Sequence, residues 1–195
     1  MIKFDEFIEL LKSNRSVRRF DESRRIDGSL LKSLVELTRY CASGRNLQPL
    51  RYRIADDKAT CEKLFPALKW AGYYSDWDGP AEGERPVAYL VQCIDTELCA
   101  SCLCDDGLEL EAITLGASSM GIHGTIIKSF NMEMVKNALG LPERYKPHYV
   151  LALGYPAEKV RIVSTDGTTG ADIRYYRDEN DMQVVPKRPL EERII

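Results

Sequence analysis

Histidine is scarce in this 195-residue chain, which contains only His123 and His148. Metal sites built from several histidines are therefore excluded, and a Ser-His-Asp triad has few candidates. The chain also lacks a G-x-S-x-G nucleophile elbow, a G-x-x-x-x-G-K-[ST] phosphate loop and a G-x-G-x-x-G dinucleotide fingerprint. These absences argue against the common hydrolase and nucleotide-binding classes.

Long apolar runs and an excess of one charge are missing as well. No run approaches the roughly 20 apolar residues of a membrane span, and the N-terminal M-I-K-F-D-E-F-I-E-L-L-K-S-N has acidic residues inside its apolar pattern, unlike a signal peptide. Basic residues number 27 against 30 acidic ones, so no overall charge favours nucleic acid. We expect a cytoplasmic protein that binds neither nucleic acid nor membranes.

The composition is that of an ordinary folded protein, with 44% hydrophobic and 29% charged residues. The length corresponds to about one domain, which we take to be 1–195. Hydrophobic periodicity predicts five helices, over 4–11, from Asp27 to about Ser43, over 57–69, over 107–120, and from Asn131 to Leu139. Asp27, Asp106 and Asn131 are the predicted N-caps of the second, fourth and fifth of these helices. Strands are predicted over 51–55, 87–94 and 148–154. The chain is therefore predicted to be an α+β protein.

The last forty residues lack helical periodicity and carry many charges and tyrosines. A long segment without a core of its own is either disordered or wraps another surface. We therefore treat 157–195 as an extended C-terminal arm.

Four of the six cysteines cluster, at Cys93, Cys99, Cys102 and Cys104. By ligand type they could hold zinc or an iron–sulfur cluster, but the spacing matches no common knuckle or ferredoxin pattern. Cys93 ends a predicted buried strand, where cysteine acts as a small hydrophobe. We therefore favour packed or incidental cysteines and expect no metal.

The segment R-S-V-R-R at 15–19 concentrates positive charge directly behind the first predicted helix. The guanidinium groups of Arg15 and Arg18 and the hydroxyl of Ser16 can converge on one phosphate, because the planar guanidinium fork binds phosphate oxygens in pairs. The alternative is a solvated basic turn, which is what most charge runs are.

Four short segments follow one another in an order that a known family shares. They are N-R-S-V-R-R-F at 14–20, A-S-G-R-N-L-Q-P-L-R-Y at 42–52, G-I-H-G-T-I-I-K-S-F at 121–130 with L-A-L-G-Y-P-A-E at 151–158, and P-K-R-P-L-E-E at 186–192. Together they resemble the FMN-dependent nitroreductase family. Each segment alone is a weak signal, whereas their common order is fairly specific and covers nearly the whole chain.

This resemblance implies a set of residues that bind FMN. Arg15, Ser16 and Arg18 hold FMN, with Arg18 near the ring or the ribityl chain. Either Lys187 or Arg188 completes the phosphate cage, with Arg188 the better candidate; the alternative for both is a solvated tail. The carboxamides of Asn46 and Gln48 match the donors and acceptors of the flavin's pyrimidine edge and act on the flavin of the other subunit. The ordinary alternative for Asn46 is a turn residue.

The stretch Ile127, Lys128 and Ser129 is implied to pass the flavin's reactive centre, where backbone N–H groups stabilise negative charge on the reduced ring. The chain departs from the family at Leu50, His123 and Lys128, which replace a tryptophan and two glycines. No catalytic side chain is expected, because the flavin performs the chemistry.

The resemblance also implies a fold and an activity. The fold is a central, mostly antiparallel sheet flanked by helices, in a homodimer formed through the helix at about 106–120, with the C-terminal arm exchanged between subunits. NADH or NADPH reduces FMN, which then reduces a small acceptor such as a nitroaromatic or a quinone in a ping-pong mechanism. The alternatives are a flavin-binding or flavin-sensing protein without turnover, and an interaction module based on the cysteines.

Overall fold

A four-stranded antiparallel sheet forms the centre of the molecule, in a computed structural model that describes residues 2–165 and 173–195. The strands are β1 (Leu50–Ala55), β2 (Ala88–Asp95), β3 (His123–Ile127) and β4 (Tyr145–Gly154), in the spatial order β1-β2-β4-β3. The predicted α+β class with an antiparallel sheet is confirmed.

The described residues form five α-helices, four of which cover the two faces of this sheet. They are α1 (Phe4–Ser13), α2 (Gly28–Glu36), α3 (Lys58–Leu64), α4 (Asp105–Ser118) and α5 (Met132–Leu139). Buried side chains of α2 and α4 pack on one face, and those of α3 and α5 on the other. No helix in the described ranges is long and apolar enough to cross a membrane.

Strand β2 is buried along all eight residues because both of its faces are covered. Tyr89 and Val91 point into the core beneath α3 and α5, whereas Ala88 and Leu90 point beneath α2 and α4. This alternation explains why the strand reads as a nearly continuous apolar run. The strand predicted over 87–94 is confirmed.

Two of the three predicted helix caps are confirmed. Asp27 accepts the backbone N–H of Ser29 at 2.7 Å, and Asn131 accepts that of Met134 at 3.1 Å. The cap predicted at Asp106 is wrong, because α4 begins one residue earlier, at Asp105, with Cys104 in the cap position.

The second helix is shorter than predicted. It ends at Glu36 and continues only as the tighter 3₁₀ turn Leu37–Tyr40, instead of reaching Ser43. The hydroxyl of Thr38 donates to the carbonyl of Val35 at 2.8 Å, a local bond that competes with continued helix.

Strand β3 is an edge strand of five residues that the hydrophobic pattern did not predict. One edge pairs with β4, and on the other edge the carbonyl of Gly124 accepts the N–H of Val17 at 3.0 Å. The segment that follows α1 therefore runs alongside β3.

The described part of the C-terminal segment forms a second, three-stranded sheet. Strand β5 (Val160–Ser164) runs parallel to β7 (Gln183–Lys187), which pairs antiparallel with β6 (Tyr176–Arg177). Residues 166–172, part of the predicted arm, lie outside the described residues.

This small sheet is anchored on its own chain. Tyr74 donates its hydroxyl proton to Gln183 at 2.7 Å, and Gln183 and Val184 are fully buried. Arg177 is paired with the buried Glu158 at 2.5 Å. The segment up to Lys187 therefore packs against the body of the same subunit.

Gly124 permits the close approach of β3 to β4, and we expect Gly124→Ala to lower the free energy of unfolding by about 1–3 kcal/mol. A Cβ atom there would lie 2.3 Å from the carbonyl oxygen of Ala152, a backbone atom that cannot move aside alone. Urea unfolding measures the change. The control is Gly107→Ala, where no atom lies within 4 Å and the helix gains from alanine. Equal stability of both variants would contradict the close approach.

Candidate functional site

Basic side chains converge on a cavity of about 320 Å³ between the end of α1, β3 and β7. The predicted residues Arg15, Ser16, Arg18 and Lys187 line it together. The other lining residues are Asn14, Glu111, Thr114, Gly124, Ile126, Tyr175 and Val185. Residues from four distant parts of the sequence thus meet at one site.

Side-chain and backbone bonds hold the segment after α1 in this position. The amide nitrogen of Asn14 donates to Thr114 at 2.9 Å and to Glu111 at 3.3 Å, which ties the end of α1 to α4. Ser16 forms a parallel bridge with Gly124. The basic residues are therefore placed by fixed neighbours on both sides, unlike those of a solvated turn.

Two arginines that line the cavity each have one buried donor without a partner among the described residues. The Nε atoms of Arg15 and Arg18 are shielded from solvent and have no hydrogen-bond partner among the described residues. Arg18 is 9% exposed, and its guanidinium carbon lies 4.7 Å from the ring centre of Tyr175. Because unpaired buried donors are costly, this arrangement favours an anionic ligand.

The charges in the cavity favour an anion. Arg15, Arg18 and Lys187 contribute positive charge, and Glu111 is the acid in the lining. Burial lowers the pKa of Arg15 and the nearby Glu111 opposes that shift, but a guanidinium remains protonated at any physiological pH. The residues present therefore fit a phosphate group.

Lys187, and not Arg188, faces the cavity. Val185 and Lys187 are two residues apart on β7, so they point to the same side of the strand, and both line the cavity. Arg188 follows the strand and donates to Glu192 at 2.8 Å. The sequence-based preference for Arg188 is thus not supported by this geometry.

The stretch 127–129 lies just beyond the cavity. Ile126 lines the cavity, whereas the side chain of Ile127 is buried in the core. The carbonyl of Ser129 accepts the N–H of Lys69 at 3.0 Å. Lys128 points its ammonium group to His148, with Nζ 3.0 Å from Nδ1.

His123 is half-buried, and its Nδ1 lies 3.5 Å from the hydroxyl of Ser118. Burial lowers its pKa, which disfavours the charged form.

Asn46 and Gln48 lie on an exposed loop and do not line this cavity. The Nε2 atom of Gln48 donates to Oδ1 of Asn46 at 3.0 Å. Arg45, Asn46 and Gln48 all have positive φ, between 48° and 57°. Three such residues within four positions are strained, and strain of this kind concentrates at functional sites.

Asp105 holds this loop in place. It is 1% exposed, and its carboxylate accepts the hydroxyl of Ser43 at 2.6 Å and the N–H of Gly44 at 2.9 Å. The oxygen of Ser43 in turn accepts the N–H of Gln48 at 2.9 Å. A buried carboxylate at the start of α4 therefore determines the backbone path of the loop.

The sequence analysis missed several lining residues. Asn14 belongs to the 14–20 motif, but its side chain is neither charged nor a hydroxyl, so it was not predicted to bind phosphate. Tyr175 and Val185 come from the C-terminal segment, where no periodic pattern indicated which side chains face the body. Glu111 and Thr114 are ordinary polar positions of a helix, and no local signal marks them.

All six cysteines are free thiols. Cys93 is buried in β2, and burial raises its pKa to about 12, in keeping with its reading as a small hydrophobe. Cys99 is partly exposed and Cys104 exposed, whereas Cys102 is buried and lies near His148.

Comparison with known proteins gives a consistent result. Residues 11–83 match the model of the Nitroreductase family. A protein of Bacillus subtilis (strain 168), provisionally named NAD(P)H nitroreductase YdgI, is 24% identical and aligns with 82% of this chain and 92% of its own length.

Solved structures share the fold. A nitroreductase family protein from Clostridium novyi NT matches with a TM-score of 0.65 and 22% identity, over 77% of this chain and 85% of its own. An NADPH:FMN oxidoreductase from Vibrio harveyi, solved with NAD⁺, matches with a TM-score of 0.60 and 24% identity, over 77% and 69%.

The support that Asp105 gives the strained loop predicts the effect of removing it. We expect Asp105→Ala to lower the free energy of unfolding by about 1–3 kcal/mol, because Ser43 and Gly44 lose their buried acceptor. Hydrogen exchange should become faster at Gly44 and Gln48. The exposed Asp5, also in the first turn of a helix, provides the control Asp5→Ala. Unchanged exchange in the loop would show that Asp105 does not hold it.

Proposed function

We propose that this chain is an FMN-dependent oxidoreductase of the nitroreductase family, because its residues 11–83 match the model of that family and a curated nitroreductase aligns with 82% of the chain. Its electron donor is NADH or NADPH, and its acceptor is a small molecule such as a nitroaromatic or a quinone. A cytoplasmic location remains a prediction.

The cavity beside β3 carries this proposal. Its buried arginine donors without partners and its excess of positive charge suit the phosphate of FMN. Arg15, Arg18 and Lys187 would bind that phosphate, and the hydroxyl of Ser16 would donate to it. The side chain of Ile126 offers an apolar surface next to this group.

When bound, FMN supplies the redox chemistry, taking electrons from the nicotinamide and passing them to the acceptor in ping-pong order. The chain's own residues bind and orient. Backbone N–H groups of the stretch 127–129, which follows the lining residue Ile126, would face the flavin's reactive centre. Ile127 faces the core and supports this edge from behind.

Binding of FMN is tested by the absorbance spectrum of the purified protein, before and after anaerobic addition of NADH or NADPH. We expect a flavin spectrum that one of the two donors bleaches. A spectrum that neither donor changes would contradict the oxidoreductase and leave a flavin-binding protein. Absence of flavin, with no binding of added FMN, would contradict the cofactor.

The double variant Arg15→Ala/Arg18→Ala is the matching test of the site. We expect its affinity for FMN to fall by about 100-fold or more, because two charge-assisted contacts are lost. The control Arg53→Ala/Arg161→Ala removes two exposed arginines elsewhere. Circular dichroism verifies folding, and full FMN retention by the folded double variant would refute the phosphate site.

A homodimer is the second part of the proposal. Asn46 and Gln48 do not line the cavity of their own subunit, and we propose that they contact the FMN bound by the other subunit. An exposed apolar surface surrounds them: Tyr40, Leu47, Leu103 and Leu108 are each at least 43% exposed. Leu103 contacts Gly44, and the thiol of Cys41 lies 3.7 Å from the carbonyl of Leu108, so these residues are neighbours.

We propose that only the last residues of the C-terminal arm are exchanged between the two subunits. Residues up to Lys187 are anchored on their own subunit. Beyond them, Leu190, Ile194 and Ile195 expose large apolar side chains. We therefore limit the proposed exchanged segment to 188–195.

We expect Leu108→Glu to shift the protein from dimer to monomer, with at least about 100-fold weaker association, because an unpaired charge would be buried. Light scattering after size-exclusion chromatography measures the mass. Met134→Glu, at a 40% exposed position of α5, is the control. FMN binding should weaken in the monomer; a Leu108→Glu dimer would contradict the proposed interface.

A further inference from the structure

Three potential metal ligands meet at the start of α4, away from the proposed phosphate site. The Nε2 atom of His148 lies 2.8 Å from Oδ2 of Asp106 and 3.5 Å from Sγ of Cys102. All three ligand atoms lie within 4.8 Å of one another. They come from three elements: the loop before α4, the first turn of α4, and β4.

The distances suit one small cation. Zinc bonds of about 2.0–2.3 Å in tetrahedral geometry place ligand atoms roughly 3.3–3.6 Å apart. The observed 3.5 Å between sulfur and nitrogen falls in that range, and the 2.8 Å between nitrogen and oxygen needs to open by about half an ångström. Thiolate, imidazole and carboxylate are all established zinc ligands.

The ligands are held before any metal arrives. Cys102 is 5% exposed. The N–H of Gly107 donates to Oδ1 of Asp106 at 2.8 Å, which leaves Oδ2 directed to His148. The side-chain amide of Gln92 donates to the carbonyl of Asp106 at 3.3 Å, which fixes this turn against β2.

The ammonium group of Lys128 is the positive charge that contacts His148 of this cluster. Its Nζ lies 3.0 Å from Nδ1 of His148, 3.1 Å from the carbonyl of the same residue and 4.2 Å from the ring centre of Tyr149. An ammonium group only donates, so Nδ1 accepts and the ring proton resides on Nε2, directed at Asp106. A metal at Nε2 requires that proton to move to Nδ1 and Lys128 to turn away.

We propose that Cys102, Asp106 and His148 form a binding site for one zinc-class divalent cation, and that Lys128 lowers its affinity by competing for His148. Lys128 is exposed, so its ammonium can leave for solvent. Three protein ligands leave the fourth position to water, and the side chains of Asp106 and His148, 19% and 21% exposed, give access to it. The bound cation joins the loop before α4 to the sheet.

The test of this site does not depend on the proposed oxidoreductase activity, because it measures metal content. Full-length protein is dialysed against a chelator and then titrated with Zn²⁺ in the presence of a chromophoric chelator. We expect one Zn²⁺ per chain. Cys102→Ser and His148→Gln should each weaken binding by at least about tenfold, whereas Cys104→Ser, at an exposed cysteine outside the cluster, should not change it.

The competition by Lys128 gives a prediction of opposite sign. Lys128→Met removes a like charge next to the cation and should tighten Zn²⁺ binding by about tenfold. Co²⁺ provides a spectroscopic check, since thiolate-to-cobalt absorption should appear in the Cys104→Ser protein and be absent from Cys102→Ser. Circular dichroism verifies that the variants fold.

Two results would overturn the proposed site. They are wild-type protein that takes up no Zn²⁺, and equal affinity in the folded Cys102→Ser and wild-type proteins. A Lys128→Met protein that binds Zn²⁺ no more tightly than wild type would overturn the competition by Lys128.

Discussion

The backbone contact between Val17 and Gly124 determines where the basic segment lies, and the candidate site depends on it. Gly124 is flanked by the segment after α1 on one side and by β4 on the other. A Cβ atom at position 124 would meet the carbonyl oxygen of Ala152 in β4, so glycine allows β3 to lie this close to β4. With the contact to Val17, Arg18 is buried, Arg15 is partly buried and both line one cavity; without it, the same residues would be a solvated basic turn.

Helix α4 organises the surroundings by presenting different polar residues in different directions. Asp105 holds the loop of Asn46 and Gln48, Asp106 contacts His148, and Thr114 holds Asn14 at the phosphate cavity. Its apolar residues Leu110, Ile113 and Ala117 face the sheet. Because one rigid helix makes all of these contacts, the loop, the site of Asp106 and His148, and the cavity have fixed relative positions.

The features that the sequence predicted correctly depend on interactions between residues that are close together in the chain. The buried strand β2 and the caps Asp27 and Asn131 follow from short-range preferences. Of the candidate site, the motif at 14–20 identified three lining residues. The family resemblance, and not the periodicity, connected it to the distant Lys187.

What the sequence did not predict depends on contacts between distant segments. Strand β3 is an edge strand whose partners, β4 and the segment after α1, are invisible to a local pattern. Asp105 and Asp106 are both plausible caps, and only the positions of Ser43 and His148 separate their roles. The choice of Lys187 over Arg188 follows from the alternation of β7, a strand that was itself not predicted.

In the loop at 45–48, the residue type that would best stabilise the backbone differs from the residue that is present. Glycine adopts positive φ without steric cost, so glycine at position 46 would relieve strain while removing the carboxamide. Selection for stability alone would therefore drive this position towards glycine. Asparagine tolerates the left-handed region better than most residues but less well than glycine, and the carboxamide that it keeps accepts the side-chain amide of Gln48 at 3.0 Å.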